Sequence, residues 1–217
     1  MRIQQAWYEK AVYYLPSYRI LSDLFIFTVD NPLSGKLIIT NQRPIMEYHD
    51  KKELINKITT FINGIGLECL EGELPPSTFL PGMHVENGRI IYGYDQVKFP
   101  GDLIHEAGHL AVILPDERKV AGPENISGSL DPGGAELAAI AWSWAALQHL
   151  QLPPEVLFHE EGYKGGASSL IENFSAGRYI GVPMLQWLGL TKEAKNDAEA
   201  DEFTYPKMKN WLRSNSN

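Results

Sequence analysis

The stretch Phe99-Pro100-Gly101-Asp102-Leu103-Ile104-His105-Glu106-Ala107-Gly108-His109-Leu110-Ala111-Val112-Ile113-Leu114-Pro115 decides how this chain is read. Phe99 to Gly101 reads as a turn, and Asp102 is placed to cap a helix by accepting from its first free N–H groups. Leu103, Ile104, Ala107, Leu110, Ala111, Ile113 and Leu114 give the helix an apolar surface around most of its girth, and Pro115 ends it. Such a helix is expected to be buried. His105 and His109 are spaced i, i+4, so both imidazoles leave one face and can reach one metal ion. Glu106 lies beside that face, where a carboxylate can take a proton from an activated water. Two histidines and a glutamate are costly to bury unless something coordinates or hydrogen-bonds them. Ala107 and Gly108, small residues between the two histidines, leave room for another element to approach closely.

A catalytic zinc ion has three protein ligands and one open position, so a third ligand is sought. The candidate is Glu136, in the stretch Asp131-Pro132-Gly133-Gly134-Ala135-Glu136 that opens an almost wholly apolar helix running to Leu147. It is the one charge in the first half of that helix. Glu136 reads either as a metal ligand or as a carboxylate interacting with the helix dipole, worth about 0.3–1 kcal/mol.

A His-Glu-x-x-His helix followed by a glutamate on a second helix resembles the zincin metallopeptidases, and in particular their glutamate-liganded branch, the gluzincins. The resemblance covers residues 99–147. It implies zinc, one ion per chain, with His105, His109 and Glu136 as ligands and Glu106 as general base and proton shuttle. It also implies a peptide or protein substrate. The metzincin pattern is not met, because Val112 and Pro115 stand where it has glycine and histidine. No Asp follows four residues after Glu136, where several gluzincins carry one; Ile140 stands there, so no partner for a histidine ligand is identified.

With 217 residues, 44% hydrophobic and 21% charged, the chain reads as one α+β domain over 1–217, or two closely packed lobes. Residues 1–98 are expected to form a β-rich lobe with a mixed sheet. Residues 99–217 supply the zinc helix and a mainly helical lobe, a zincin-like order. The formal charge of −8, without a Lys/Arg cluster, argues against a nucleic-acid partner. The apolar stretch Leu137 to Leu147 is too short to span a bilayer, so no membrane partner is expected. The first ten residues lack a signal-peptide core, and the expected location is cytoplasmic. The single cysteine, Cys69, excludes an internal disulfide and a Cys-rich zinc site. Oligomeric state is not readable.

Elsewhere, Trp7 to Tyr18 reads as a short helix, Leu24–Val29 and Lys36–Thr40 as strands, and Lys51–Ile62 as an amphipathic helix. Arg89–Tyr94 reads as a strand after an Asn87-Gly88 turn, either interior or an edge that pairs with extended substrate. His159 and Tyr163, in a polar glycine-containing break, are candidate donors to an oxyanion; the alternative is a surface turn. Arg178 can clamp a carboxylate or form a structural ion pair. Residues 120–130 are expected to border the cleft as a mobile lid, or to be an inert connection. Phe203–Leu212 is expected to dock as a last short helix with Trp211 inward. The class that competes with an enzyme is a zincin-shaped binding or regulatory protein whose zinc is structural.

Overall fold

The computed structural model describes residues 27–31, 35–39, 51–163, 165–194 and 199–215. The expected Trp7–Tyr18 helix lies outside them. β1 (Phe27–Asn31) and β2 (Gly35–Ile39) pair antiparallel, with Phe27 opposite Ile39 and Asn31 opposite Gly35, and overlap the two strands read at 24–29 and 36–40.

α1 (Lys51–Gly64) buries Leu54, Ile55, Ile58, Phe61 and Ile62, the apolar stripe visible in the sequence. It passes directly into β3 (Glu68–Glu71), because the Asn63 side chain takes the Cys69 N–H (2.8 Å) and gives to the Cys69 carbonyl (3.0 Å). Cys69 faces the core, and burial pushes its thiol up to about 12. β4 (Met83–Glu86) and β5 (Arg89–Tyr92) form a hairpin whose turn residues Asn87 and Gly88 both have positive φ, 49° and 71°. That is the backbone a two-residue hairpin needs, and Asn-Gly supplies it at little strain.

The three-stranded sheet has the order β3-β5-β4, with β3 parallel and β4 antiparallel to β5. β5 is therefore the central strand. Both of its edges are paired, so it cannot receive an extended substrate, and the edge role allowed for it is corrected to the interior one. Ile90 and Tyr92 point into the core from β5.

α2 (Gly101–Val112) follows, then a single turn α3 (Pro115–Arg118) and the long α4 (Pro132–His149). α4 is apolar all round because it is covered on all sides, with eleven buried residues between Ala135 and Leu147. α2 packs on it as the most intimate helix pair. Alanines 138, 139, 141, 145 and 146 are all fully buried or nearly so, and their small side chains permit that approach. α5 (Pro154–Leu157), α6 (Ala167–Ser175) and α7 (Val182–Trp187) complete the helices. One buried cluster joins α1, the three-stranded sheet, α2, α4 and the later helices. The architecture is α+β, and no helix among the described residues is long and apolar enough to cross a membrane.

The C-terminal segment corrects a second expectation. Residues 203–212 form turns and bends rather than a helix. Pro206 lacks the N–H that a helix interior uses, and tertiary bonds hold the backbone instead. Thr191 Oγ1 donates to the Phe203 and Lys207 carbonyls (3.1 and 2.7 Å), and Tyr205 donates to the Ala141 carbonyl (2.8 Å). Trp211 does turn inward, against Phe61 and Trp142, and its carbonyl accepts the Trp142 indole N–H at 2.8 Å.

Candidate metal centre

α2 places His105 and His109 one turn apart on its buried face, and α4 brings Glu136 to the same point. His105 Nε2 and His109 Nε2 are 3.2 Å apart; Glu136 Oε1 is 3.5 Å from the first and Oε2 is 3.2 Å from the second. All three side chains are inside the protein, with Glu136 the most open at 15%. Among the described residues they form a group whose ligand atoms lie within 4.8 Å of one another.

These separations suit a metal. Zinc bonds of about 2.0–2.1 Å in tetrahedral directions put neighbouring ligand atoms about 3.3 Å apart. Three electron-rich atoms turned towards one point repel unless a cation lies among them, and a single proton can bridge only one pair of them. Glu136 Oε1 is moreover buried without a hydrogen-bond partner among the described residues, since 3.5 Å from His105 is a poor bond. The donor set, two imidazoles and one carboxylate, suits Zn²⁺. The Nδ1 atoms of His105 and His109 are buried and likewise have no partner among the described residues. No carboxylate there orients either ring, in line with the Ile140 that stands four residues after Glu136.

Burial holds His105 below the ordinary imidazole range, against the pull of Glu136. In His109 burial acts the same way, but the Glu136 bond and the charges of Glu136 and Glu106 outweigh it and raise it. Burial would raise Glu136; His105 and His109 beside it win and lower it. Glu106 follows His105 on α2. Burial pushes its carboxyl up to about 7, opposed by His109 and assisted by Glu136 and Asp102.

His159 and Tyr163 both come close to this group. The Tyr163 ring stands edge-on to His105, centroids 6.3 Å apart, and is buried. The surface-turn alternative for Tyr163 is thereby replaced by a position inside the protein. His159 has both ring nitrogens occupied: Nε2 is 2.8 Å from Asp102 Oδ1, and Nδ1 accepts the Gly162 N–H at 3.1 Å. With no N–H to spare it cannot serve as an oxyanion donor, and that candidate role is corrected. Asp102 is corrected with it. The helix starts at Gly101 after Pro100, without a side-chain cap, and Asp102 turns to His159. Position alone marked Asp102 as a cap; its partner lies 57 residues away, and no local pattern announces it.

Arg178 lies on the surface and binds Glu172 (3.0 Å) and Asn173 (2.7 Å), a structural ion pair. The 120–130 segment is tied down. Ala121 and Ile126 are buried, Asn125 closes a turn on Gly122 N and the Val120 carbonyl, and Glu117 holds Ser129 N at 2.9 Å. The Ala121 carbonyl also accepts the Gly88 N–H at 2.9 Å. Moving it as a lid would expose two core residues and break these bonds, so the inert connection is the better description.

No protein-family model, no curated protein and no solved structure matches this chain.

Proposed function

We propose that the protein is a zinc-dependent hydrolase of gluzincin-like, zincin type that cleaves a peptide or related amide bond. The observation that carries this reading is the convergence of His105 Nε2, His109 Nε2 and the Glu136 carboxylate from two helices, with Glu106 beside them. A zinc ion held by these three groups keeps net positive charge, and so supplies a Lewis acid that polarises a carbonyl and acidifies a water. Glu106 takes the proton of the attacking water and returns it to the leaving amine nitrogen. In the metal-free chain burial raises this carboxyl to about 7. A bound cation favours its ionised form, the form that accepts a proton first. Tyr163 is the remaining candidate to donate a hydrogen bond to the oxyanion that develops on the substrate carbonyl. The surrounding buried residues keep bulk water away and so strengthen these charged contacts.

The test is cleavage of a peptide library by the zinc-loaded chain, with a chelator control and a Glu106→Gln variant. Expected are chelator-sensitive cleavage by the wild type and its loss in Glu106→Gln with zinc content unchanged. A Glu106→Gln protein that keeps zinc and cleaves at the wild-type rate overturns the assignment. A fully zinc-loaded wild type that cleaves nothing favours the structural-zinc reading.

A further inference from the structure

One buried polar pair beside the metal-ligating group is not used by the chemistry above. Asp102 lies in the first turn of α2, one turn ahead of His105, and its side chain and that of His159 are each 10% exposed. The Gly162 N–H points at His159 Nδ1, so the ring proton sits on Nε2 and is donated to the Asp102 carboxylate at 2.8 Å. Phe99 stacks flat on the imidazole, centroids 3.7 Å apart and planes 9° apart. A ring with both nitrogens bonded and one face covered has one orientation.

The backbone brings the two partners together. A β-carbon at position 101 would lie 1.8 Å from the Val156 carbonyl oxygen, so the start of α2 rests directly on α5, as only glycine allows. His159 follows α5 by two residues and is thereby delivered to Asp102. From His159 the chain turns to Tyr163, whose ring stands edge-on both to His159 (6.2 Å) and to His105 (6.3 Å).

We propose that Asp102 and His159 are a positioning pair that holds the 158–163 turn on the first turn of α2, and so fixes Tyr163 against His105. Phe158 also anchors the turn, buried against Trp144 and Phe174. Phe158 seats the start of the turn and meets the Tyr163 ring edge-on at 5.2 Å; the Asp102–His159 bond seats the next residue, and the Gly162 N–H on the same imidazole carries that hold to the far end. The catalytic consequence, a phenol held at a fixed place beside the metal ligands, rests on the hydrolase reading. The positioning itself does not.

The experiment compares the zinc-loaded wild type with Asp102→Ala and Asp102→Asn, the latter keeping the acceptor oxygen. Amide exchange across 158–163 is expected to rise about tenfold or more in Asp102→Ala, with α4 and zinc content unchanged, and to return near the wild-type rate in Asp102→Asn. On a cleaved peptide, kcat is expected to fall about tenfold in Asp102→Ala with KM little moved, and to recover in Asp102→Asn. Unchanged exchange across 158–163 in Asp102→Ala overturns the pair. A released turn with kcat unchanged overturns its hold on a functional Tyr163. If Asp102→Ala does not fold, His159→Phe keeps the stacked ring, loses both bonds and is read the same way. A wild type that cleaves no peptide counts against the hydrolase reading, while the exchange result still decides on the pair.

Discussion

A β-carbon at Gly108 would stand 2.9 Å from the Ala139 carbonyl oxygen, so α2 and α4 meet with backbone nearly against backbone at the residue before His109. The Ser143 hydroxyl sits at the same distance from that point and bridges the helices, donating to the Ala139 carbonyl at 2.7 Å and reaching the Ile104 carbonyl at 3.3 Å. This closeness lets a glutamate on one helix reach two histidines on the other.

Gly108→Ala is therefore expected to destabilise the protein. Alanine gains ~1 kcal/mol of helix propensity over glycine, but separating two packed helices costs about 1–3 kcal/mol. Separation also draws Glu136 away from the histidines. Urea melts of the metal-free protein and zinc titrations should show lower stability together with weaker zinc binding; a more stable protein that binds zinc normally would refute the close-contact argument.

Glu136→Ala should bind zinc at least about 100-fold more weakly, because losing a ligand is worse than losing a partner that merely orients one. A carboxylate that serves only the helix dipole would be lost with zinc occupancy intact. Metal analysis after dialysis separates the two outcomes, and a thermal melt of the metal-free variant controls for unfolding.

The His105–His109 helix, the Glu136 helix, α1, the two strands β1 and β2, and β5 with the Asn-Gly turn before it were legible in the sequence because each carries its own local signal, whereas β3 and β4 were not read. These signals are helical or alternating apolar spacing, a turn dipeptide, and an i, i+4 histidine pair. Ala107 and Gly108 even announced the close helix contact. What escaped depends on residues far apart. β5 is central because β3 and β4 flank it, and strand neighbours are not written into a strand. Residues 203–212 form a helix-sized stretch with apolar residues spread along it, but Thr191, Lys192, Leu190 and Trp142 take their backbone groups out of helical pairing. Asp102 carries the signature of a cap, yet a histidine in the turn after α5 claims it.

Arg118 provides a test of the segment after α2. Its guanidinium donates to the Leu110, Ala111 and Ile113 carbonyls at 2.6, 3.4 and 3.1 Å, and to the Arg213 carbonyl at 3.2 Å. It thus closes the C-terminal end of α2 and ties it to the chain's last residues. Arg118→Met keeps the aliphatic stem and strands these acceptors. It should cost about 3 kcal/mol, the order of one or two charged hydrogen bonds. Faster amide exchange over 113–130 should accompany that loss; unaltered exchange there would mean that the buried Ala121 and Ile126 hold the segment unaided.

Glu106 should make the metal-free protein less stable as pH rises. Its carboxyl is raised from 4.5 to about 7, chiefly by burial, so the fold prefers the protonated form. The contribution is fully present below pH 4.5, the unfolded value, and is lost as pH climbs through about 7. A shift of that size corresponds to about 3 kcal/mol at most. His109, also raised, adds loss in the same direction, while Glu136 and His105, both lowered, oppose it at acid pH. Glu106→Gln isolates the one group, because the amide has the same shape and no charge to bury. In the presence of chelator, wild type and Glu106→Gln should have nearly equal stability at pH 4.5, with the variant gaining as pH rises to 7.5, by up to about 3 kcal/mol. Urea melts across that range measure the difference directly. Parallel stability curves for the two proteins would mean that the Glu106 carboxyl is ionised at no cost in the fold.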